Sequence, residues 1–410
     1  MTGPTDLPTL PDTRFNGLLD AARELQDRTV ALRRALHRRP EQGLQLPRTQ
    51  EAIRSALADL PLSVTEGRAT TSLTAVLRGA RPGPAVLLRG DMDALPLHED
   101  TGLEFSSEVD DSMHACGHDT HVAMLASAAR LLASRVDSLA GSVVFMFQPG
   151  EEGHHGARFM IHEGVLDAAG PRVSRAFGLH AMANVRTGLL QVRGGAMMAS
   201  ADTFRVEVTG RGGHGSAPQE AIDPVPAAAA MVGALQTMVT RRVGVFDPAV
   251  ISVTRIEAGT TTNIIPETAV LEGTIRTLSE ATRAVVRTEL PRVCESIGAA
   301  HGCRVLADIE PGYPPTVNDP EVAAEVLALG ATVLGGENVQ EIPHPIMGAE
   351  DFSYVLQRVP GAFAFLGACP PGLPPSDAPA NHSNRVVFDE AAMPAGVAMY
   401  AAFALNTLRG

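Results

Sequence analysis

Three short apolar runs in this chain each empty directly into acidic or imidazole side chains. Residues 85–88 lead into Arg89-Gly90-Asp91-Met92-Asp93, residues 142–147 into Gln148-Pro149-Gly150-Glu151-Glu152-Gly153, and residues 176–179 end at His180. Runs of this length read as buried strands. Helical periodicity intervenes at 120–132, and an amphipathic helix over 23–39, ending at Pro40, precedes them all. Strands alternating with helices build an α/β sheet, and open α/β sheets bind ligands beyond the carboxyl ends of their strands. The polar groups therefore converge on one crevice.

The middle of the chain has another rhythm. Strands are predicted at 203–208, 249–256, 269–277 and 304–309, with helices at 221–241 and 279–300. The order β-α-β-β-α-β is that of a ferredoxin-like unit. The predicted organisation is a first catalytic segment at 1–198, an inserted α+β domain at 199–311, and a return to the catalytic domain at 312–410, with helices near 320–334, 350–358 and 390–408. A chain of 410 residues suits two domains.

Composition removes several chemistries. The 33 basic residues are all arginine, which excludes a Schiff-base lysine, a phosphate-loop lysine and a Ser–Lys dyad. No G-x-S-x-G elbow is present. A net charge of −13 argues against nucleic acid and anionic membrane as partners, and no apolar stretch reaches membrane-spanning length. Residues 1–12 read as a frayed start without a secretion signal, so a cytoplasmic location is expected. Cys116, Cys294, Cys303 and Cys369 are too sparse for a disulfide framework.

What remains is His, Asp, Glu and one well-placed Cys. His114-Ala115-Cys116-Gly117-His118-Asp119-Thr120-His121 packs three imidazoles, a thiol and a carboxylate into one short segment. Thiolate and imidazole together suit zinc, cobalt or nickel better than magnesium or calcium. A structural zinc knuckle is disfavoured because no C-x-x-C pair accompanies the segment. Cys116 and His118, two apart, cannot share a helix face but can converge from a turn, with the helix starting near Thr120. The adjacent Glu151 and Glu152 can divide the work between metal binding and proton transfer. His154 and His155 read as exposed loop residues.

These segments resemble the metal-dependent aminoacylase and carboxypeptidase family, in the amidohydrolase branch of hippurate and auxin-conjugate hydrolases. The resemblance runs from Leu36-His37-Arg38-Arg39-Pro40-Glu41 to Asn381-His382-Ser383. It includes Gly212-Gly213-His214-Gly215-Ser216, Asn263-Ile264-Ile265-Pro266, Gly273-Thr274-Ile275-Arg276 and Gly348-Ala349-Glu350-Asp351-Phe352. It implies a metallopeptidase-like mixed sheet flanked by helices, with the ferredoxin-like domain inserted. It also implies two divalent ions per subunit, zinc first and manganese, cobalt or nickel as alternatives, held by Cys116, His118, Glu152, His180 and His382. Glu151 is implied as general base, Asp93 as the group that orients the site, His214 as oxyanion donor, and Asn263 and Arg276 as contacts to the substrate carboxylate. A homodimer is implied, its inserted domains pairing by strand addition so that each His214 serves the partner's site. The segment Gln42-Gly43-Leu44-Gln45-Leu46 departs from the family, which usually carries further acidic residues there.

The implied reaction is hydrolysis of an N-acyl amino acid to a carboxylic acid and an amino acid. Two alternatives stand beside it: a dipeptidase or carboxypeptidase using the same site, and a metal-binding protein without activity. The pairing of Glu151 with Glu152 argues against the second, since binding alone needs only one of them.

Overall fold

The computed structural model describes residues 13–409; the start at 1–12, expected to be frayed, lies outside them. The chain forms two compact units. One comprises residues up to Gly195 with Val317–His344 and the chain from Tyr354 onward; the other comprises Ala196–Thr316 with Pro345–Ser353.

The first unit is built on an eight-stranded mixed sheet. Its strands lie in the order Leu62–Glu66, Leu73–Arg78, Ala140–Gln148, Arg81–Asp91, Val173–Met182, Gly361–Gly367, Leu190–Val192 and Val339–Glu341. From Ala140–Gln148 to Gly361–Gly367 neighbouring strands are parallel, and antiparallel pairs follow on either side. Parallel strands need cover on both faces, and Gly361–Gly367 is buried along its whole length. Helices His118–Ala133 and Met393–Thr407 are apolar nearly all round and correspondingly buried. Phe403 stacks on Phe177 of the sheet at 4.9 Å between centroids, and the Tyr400 hydroxyl donates to the Arg89 carbonyl at 2.6 Å.

Several boundaries differ from expectation. The helix predicted over 23–39 is two, Leu18–Glu24 and Gln26–His37. The step falls at Leu25, whose N–H bonds to the Ala22 carbonyl three residues back, a tightened turn that redirects the chain. The helix expected near 350–358 shrinks to Ser353–Leu356. Helix Pro47–Leu57 and strands Leu62–Glu66 and Leu73–Arg78 were not anticipated.

The second unit carries a four-stranded antiparallel sheet in the order Ala249–Ala258, Thr268–Thr277, Ala201–Thr209, Arg304–Tyr313. Helices Pro224–Arg242 and Glu280–Ala300 supply Met231, Leu235, Val286 and Leu290 to a core with Phe204, Val206, Val208, Leu271 and Ile275. Along Ala201–Thr209 these inward residues alternate with Thr203, Arg205 and Glu207, the period-two pattern of a sheet covered on one face. This is the ferredoxin-like order expected. Two short strands, Gly213–His214 and Ile264–Ile265, pair outside it.

Candidate metal centre

Three strands and one helix of the first unit deliver polar groups to one place. Strand Arg81–Asp91 ends at Asp91, and Asp93 follows at once. Strand Ala140–Gln148 beside it leads into Glu151 and Glu152, the two ends being tied by the Met92 N–H to the Gln148 carbonyl. Strand Val173–Met182 contributes His180. Helix His118–Ala133 points its first turn at these ends. It begins at His118, two residues before the expected start, because Gly117 takes a left-handed φ of 82° that turns the chain into the helix. A Cβ at Gly117 would lie 3.0 Å from Phe388, so a side chain there would also press on that ring.

The donor atoms gather closely. Cys116 Sγ lies 3.3 Å from His180 Nε2 and 3.2 Å from His382 Nε2, and His382 Nε2 lies 3.3 Å from Glu152 Oε1. One donor atom each from Cys116, His118 and His180 falls within 4.8 Å of the other two; the same holds for Cys116, Glu152 and His382, and for His118, Glu151 and Glu152. The five expected ligands and the expected base are therefore brought together. His382 has a positive φ of 71°. It is fixed there by its N–H to the Ala115 carbonyl, and Asn381 bonds both Ala181 and Ala183 at the end of the His180 strand.

Hydrogen bonding selects which imidazole nitrogen faces the cluster. His180 Nδ1–H donates to the Ala181 carbonyl at 2.9 Å, leaving Nε2 as the lone-pair nitrogen. Burial, with His121 beside it, holds His180 well below its usual value, so it is neutral. Burial and Glu152 push the Cys116 thiol up, which a bound divalent cation would reverse. His118 Nε2 and Glu152 Oε1 are buried and make no hydrogen bond among the described residues. Buried polar atoms left so are costly, and their convergence on a neutral imidazole and a thiol is what a transition-metal site requires. The residues present fit such ions.

Asp93 ties the frame together. Its two oxygens accept the backbone N–H groups of Glu151 and Glu152, both at 3.0 Å, and Oδ1 lies 3.3 Å from His118 Nδ1. One carboxylate thus sets the acidic loop and lies beside an imidazole.

The profile of peptidase family M20/M25/M40 matches residues 87–406. The chain belongs to that family. Thermostable carboxypeptidase 1 of Saccharolobus solfataricus is 39% identical, over 95% of this chain and 98% of its own length. N-acetylcysteine deacetylase of Bacillus subtilis is 37% identical, over 85% and 90%. The solved YXEP protein of Bacillus subtilis, described as a dinuclear metal binding peptidase of the M20 family, is 32% identical with a TM-score of 0.81, covering 94% of this chain and 99% of that one. As an M20-family member of the amidohydrolase branch, the protein is a metal-dependent hydrolase. No helix among the described residues is long and apolar enough to cross a membrane.

The remaining expected site residues of this M20 chain lie in the second unit. His214 is exposed, and its Nδ1 accepts from the Ser216 N–H at 3.1 Å. A backbone N–H can only donate, so the proton sits on Nε2 and that edge is a donor. Asn263 neighbours it, its carbonyl accepting the Gly215 N–H at 2.9 Å. Arg276 belongs to the other sheet of this unit, the four-stranded one, opposite Val250, where burial lowers its pKa.

Other groups around the cluster have roles that the sequence left unassigned. The Ala181 N–H donates to His121 Nε2 at 2.7 Å, so His121 Nδ1 carries the proton and gives it to Asp91. Both nitrogens of His121 are thereby occupied. Burial opposes the charge of Asp91, but Arg89, His118 and His121 hold it well below the usual carboxylate range. Gly90 lets this helix turn approach, since a Cβ there would lie 3.1 Å from the His121 carbonyl. Behind His118, Asp119 accepts from Arg33 and from His37, which also reaches Glu99. His114 is buried and pushed down to about 3 by burial, and it belongs to none of the donor triads. His155 is not a free loop residue: its Nδ1 lies 3.0 Å from the Tyr354 hydroxyl. The i, i+3 spacing of His118 and His121, and the second acid in Asp91-Met92-Asp93, were the available signals.

Proposed function

We propose that the protein hydrolyses the amide bond of an N-acyl amino acid, using two divalent ions held by Cys116, His118, Glu152, His180 and His382. The observation that carries this reading is the overlap of two donor triads through Cys116, with Glu151 beside them. Zinc is the ion that the thiol and imidazole donors favour. Bound there, the ions lower the pKa of water and polarise a carbonyl. Glu151 takes the proton of the attacking water and returns it to the leaving amine as the C–N bond breaks. The Nε2–H of His214 is the donor for the developing oxyanion. Arg276, as a planar fork, and Asn263 are assigned to the free carboxylate of the amino acid.

His214 and the ligands belong to different units of the chain. A homodimer through an edge of the four-stranded sheet, each subunit lending His214 to the other, is the assembly this reading favours. The four cysteines are free and buried, which fits a reducing cytoplasm.

A second reading, cleavage of small peptides by the same site, is favoured by the 39% identity to a carboxypeptidase. Turnover of N-acetyl amino acids against free dipeptides decides between them. Faster cleavage of the acyl compound supports the proposal, and cleavage confined to dipeptides refutes it.

A further inference from the structure

We propose that a pocket beside the Glu151–Glu152 loop binds a second kind of ligand, a small carboxylate with an apolar body. The pocket has a volume of about 560 Å³, and Leu44, His154, His155, Arg158, Phe159 and Arg358 line it. None of them belongs to the donor cluster. Leu44 and Phe159 supply apolar wall, and Phe159 is 37% exposed. Arg158 and Arg358 supply charge. Arg158 lies 5.5 Å from the centroid of the Tyr354 ring, and Arg358 donates to the Tyr354 carbonyl. Neither guanidinium has a carboxylate partner among the described residues, in a chain of net charge −13. The nearest acid along this helix segment, Glu163, is taken by the backbone N–H groups of Arg68 and Ala69.

The walls are held in place. The His154 ring lies over Gly43, 3.5 Å from where its Cβ would be, and a Cβ at Gly150 would lie 2.4 Å from Leu44 Cδ2. His155 is fixed by its bond to Tyr354. Apolar walls flanked by two planar forks match a carboxylate on an aromatic or branched body, because a carboxylate can meet a guanidinium through paired charge-assisted bonds.

The probe is benzoate, titrated calorimetrically into the metal-loaded protein and into the double variant R158A/R358A. The expected result is binding that the double variant weakens by about ten-fold or more, the worth of a lost charge-assisted bond. Benzamide, equal in shape and neutral, should bind about ten-fold more weakly than benzoate for the same reason. Turnover without benzoate should stay within about two-fold of wild type, as for surface substitutions. Equal benzoate isotherms in the two proteins, as binding at the metals alone would give, overturn the proposal, and so does equal binding of benzamide. The titration is independent of the reaction, so failure to cleave N-acyl amino acids would leave its outcome standing.

Discussion

Glu151 and Glu152 are neighbours in sequence, yet the structure gives them different surroundings. Glu152 faces Cys116, His118 and His382, and its carboxyl is held low: burial opposes this, but His382 and His118 outweigh it. Glu151 is the better candidate for moving a proton. Glu151→Gln should keep its metal and lose turnover by about 10²–10⁴-fold, the usual worth of a general base. Metal analysis beside a rate assay checks this, and near-normal turnover with intact metal would remove the role. His214→Ala should cost about 2.7–4 kcal/mol of transition-state stabilisation with unchanged metal content, as for one oxyanion donor. At this scale the sequence was legible where chemistry is local. Cys116 and His118 share one short segment, and Glu151 follows a strand end. The Asp91–His121 pair was not legible, because its meaning depends on a backbone N–H from Ala181, 60 residues further on.

Helix His118–Ala133 shows what an element contributes. Its start at Gly117 requires a left-handed turn packed against Phe388. Gly117→Ala should therefore destabilise the protein by about 1–2 kcal/mol, from the left-handed backbone alone, with a further cost from the contact. Denaturant unfolding measures this, and an unchanged midpoint would contradict the strain. The same helix is braced by His37 on helix Gln26–His37. Burial opposes the charge of His37, but Asp119 and Glu99 raise it from 6.5 to about 9. The stability His37 contributes is complete below pH 6.5 and is lost as pH rises through about 9. Glu99 is lowered from 4.5 to about 2: burial opposes this, while His37, Thr101 and the Ser107 N–H drive it. Its contribution is present above pH 4.5 and disappears as pH falls through about 2. Unfolding midpoints of wild type and His37→Gln across the upper window should converge as pH rises. Parallel curves would exclude the linkage. Periodicity located this helix but misplaced its start by two residues, since a glycine turn decides the start and periodicity does not register it. The predicted 23–39 helix failed similarly, at a step that side-chain pattern does not encode.

The proposed oxyanion donor and the proposed metal ligands belong to different units, each assembled from separate segments of the chain. The ferredoxin-like order of the second unit was legible from alternating strands and two long helices, whereas the edge strand Leu62–Glu66 of the large sheet was not: it is mostly exposed and carries little apolar pattern. If His214 acts across a dimer, mixing His214→Ala with Glu151→Gln under subunit exchange should restore activity, because one site in each mixed dimer is then intact. A dead mixture with exchange verified by mass would confine His214 to its own chain or to no catalytic role. The proposed hydrolysis of an N-acyl amino acid with two ions in this donor cluster can be tested by stripping the protein with a chelator and following turnover of an N-acetyl amino acid as zinc is returned. No turnover is expected without metal, and a rise that levels off at about two equivalents per chain. Full turnover in the stripped protein, or none at any loading, would contradict it.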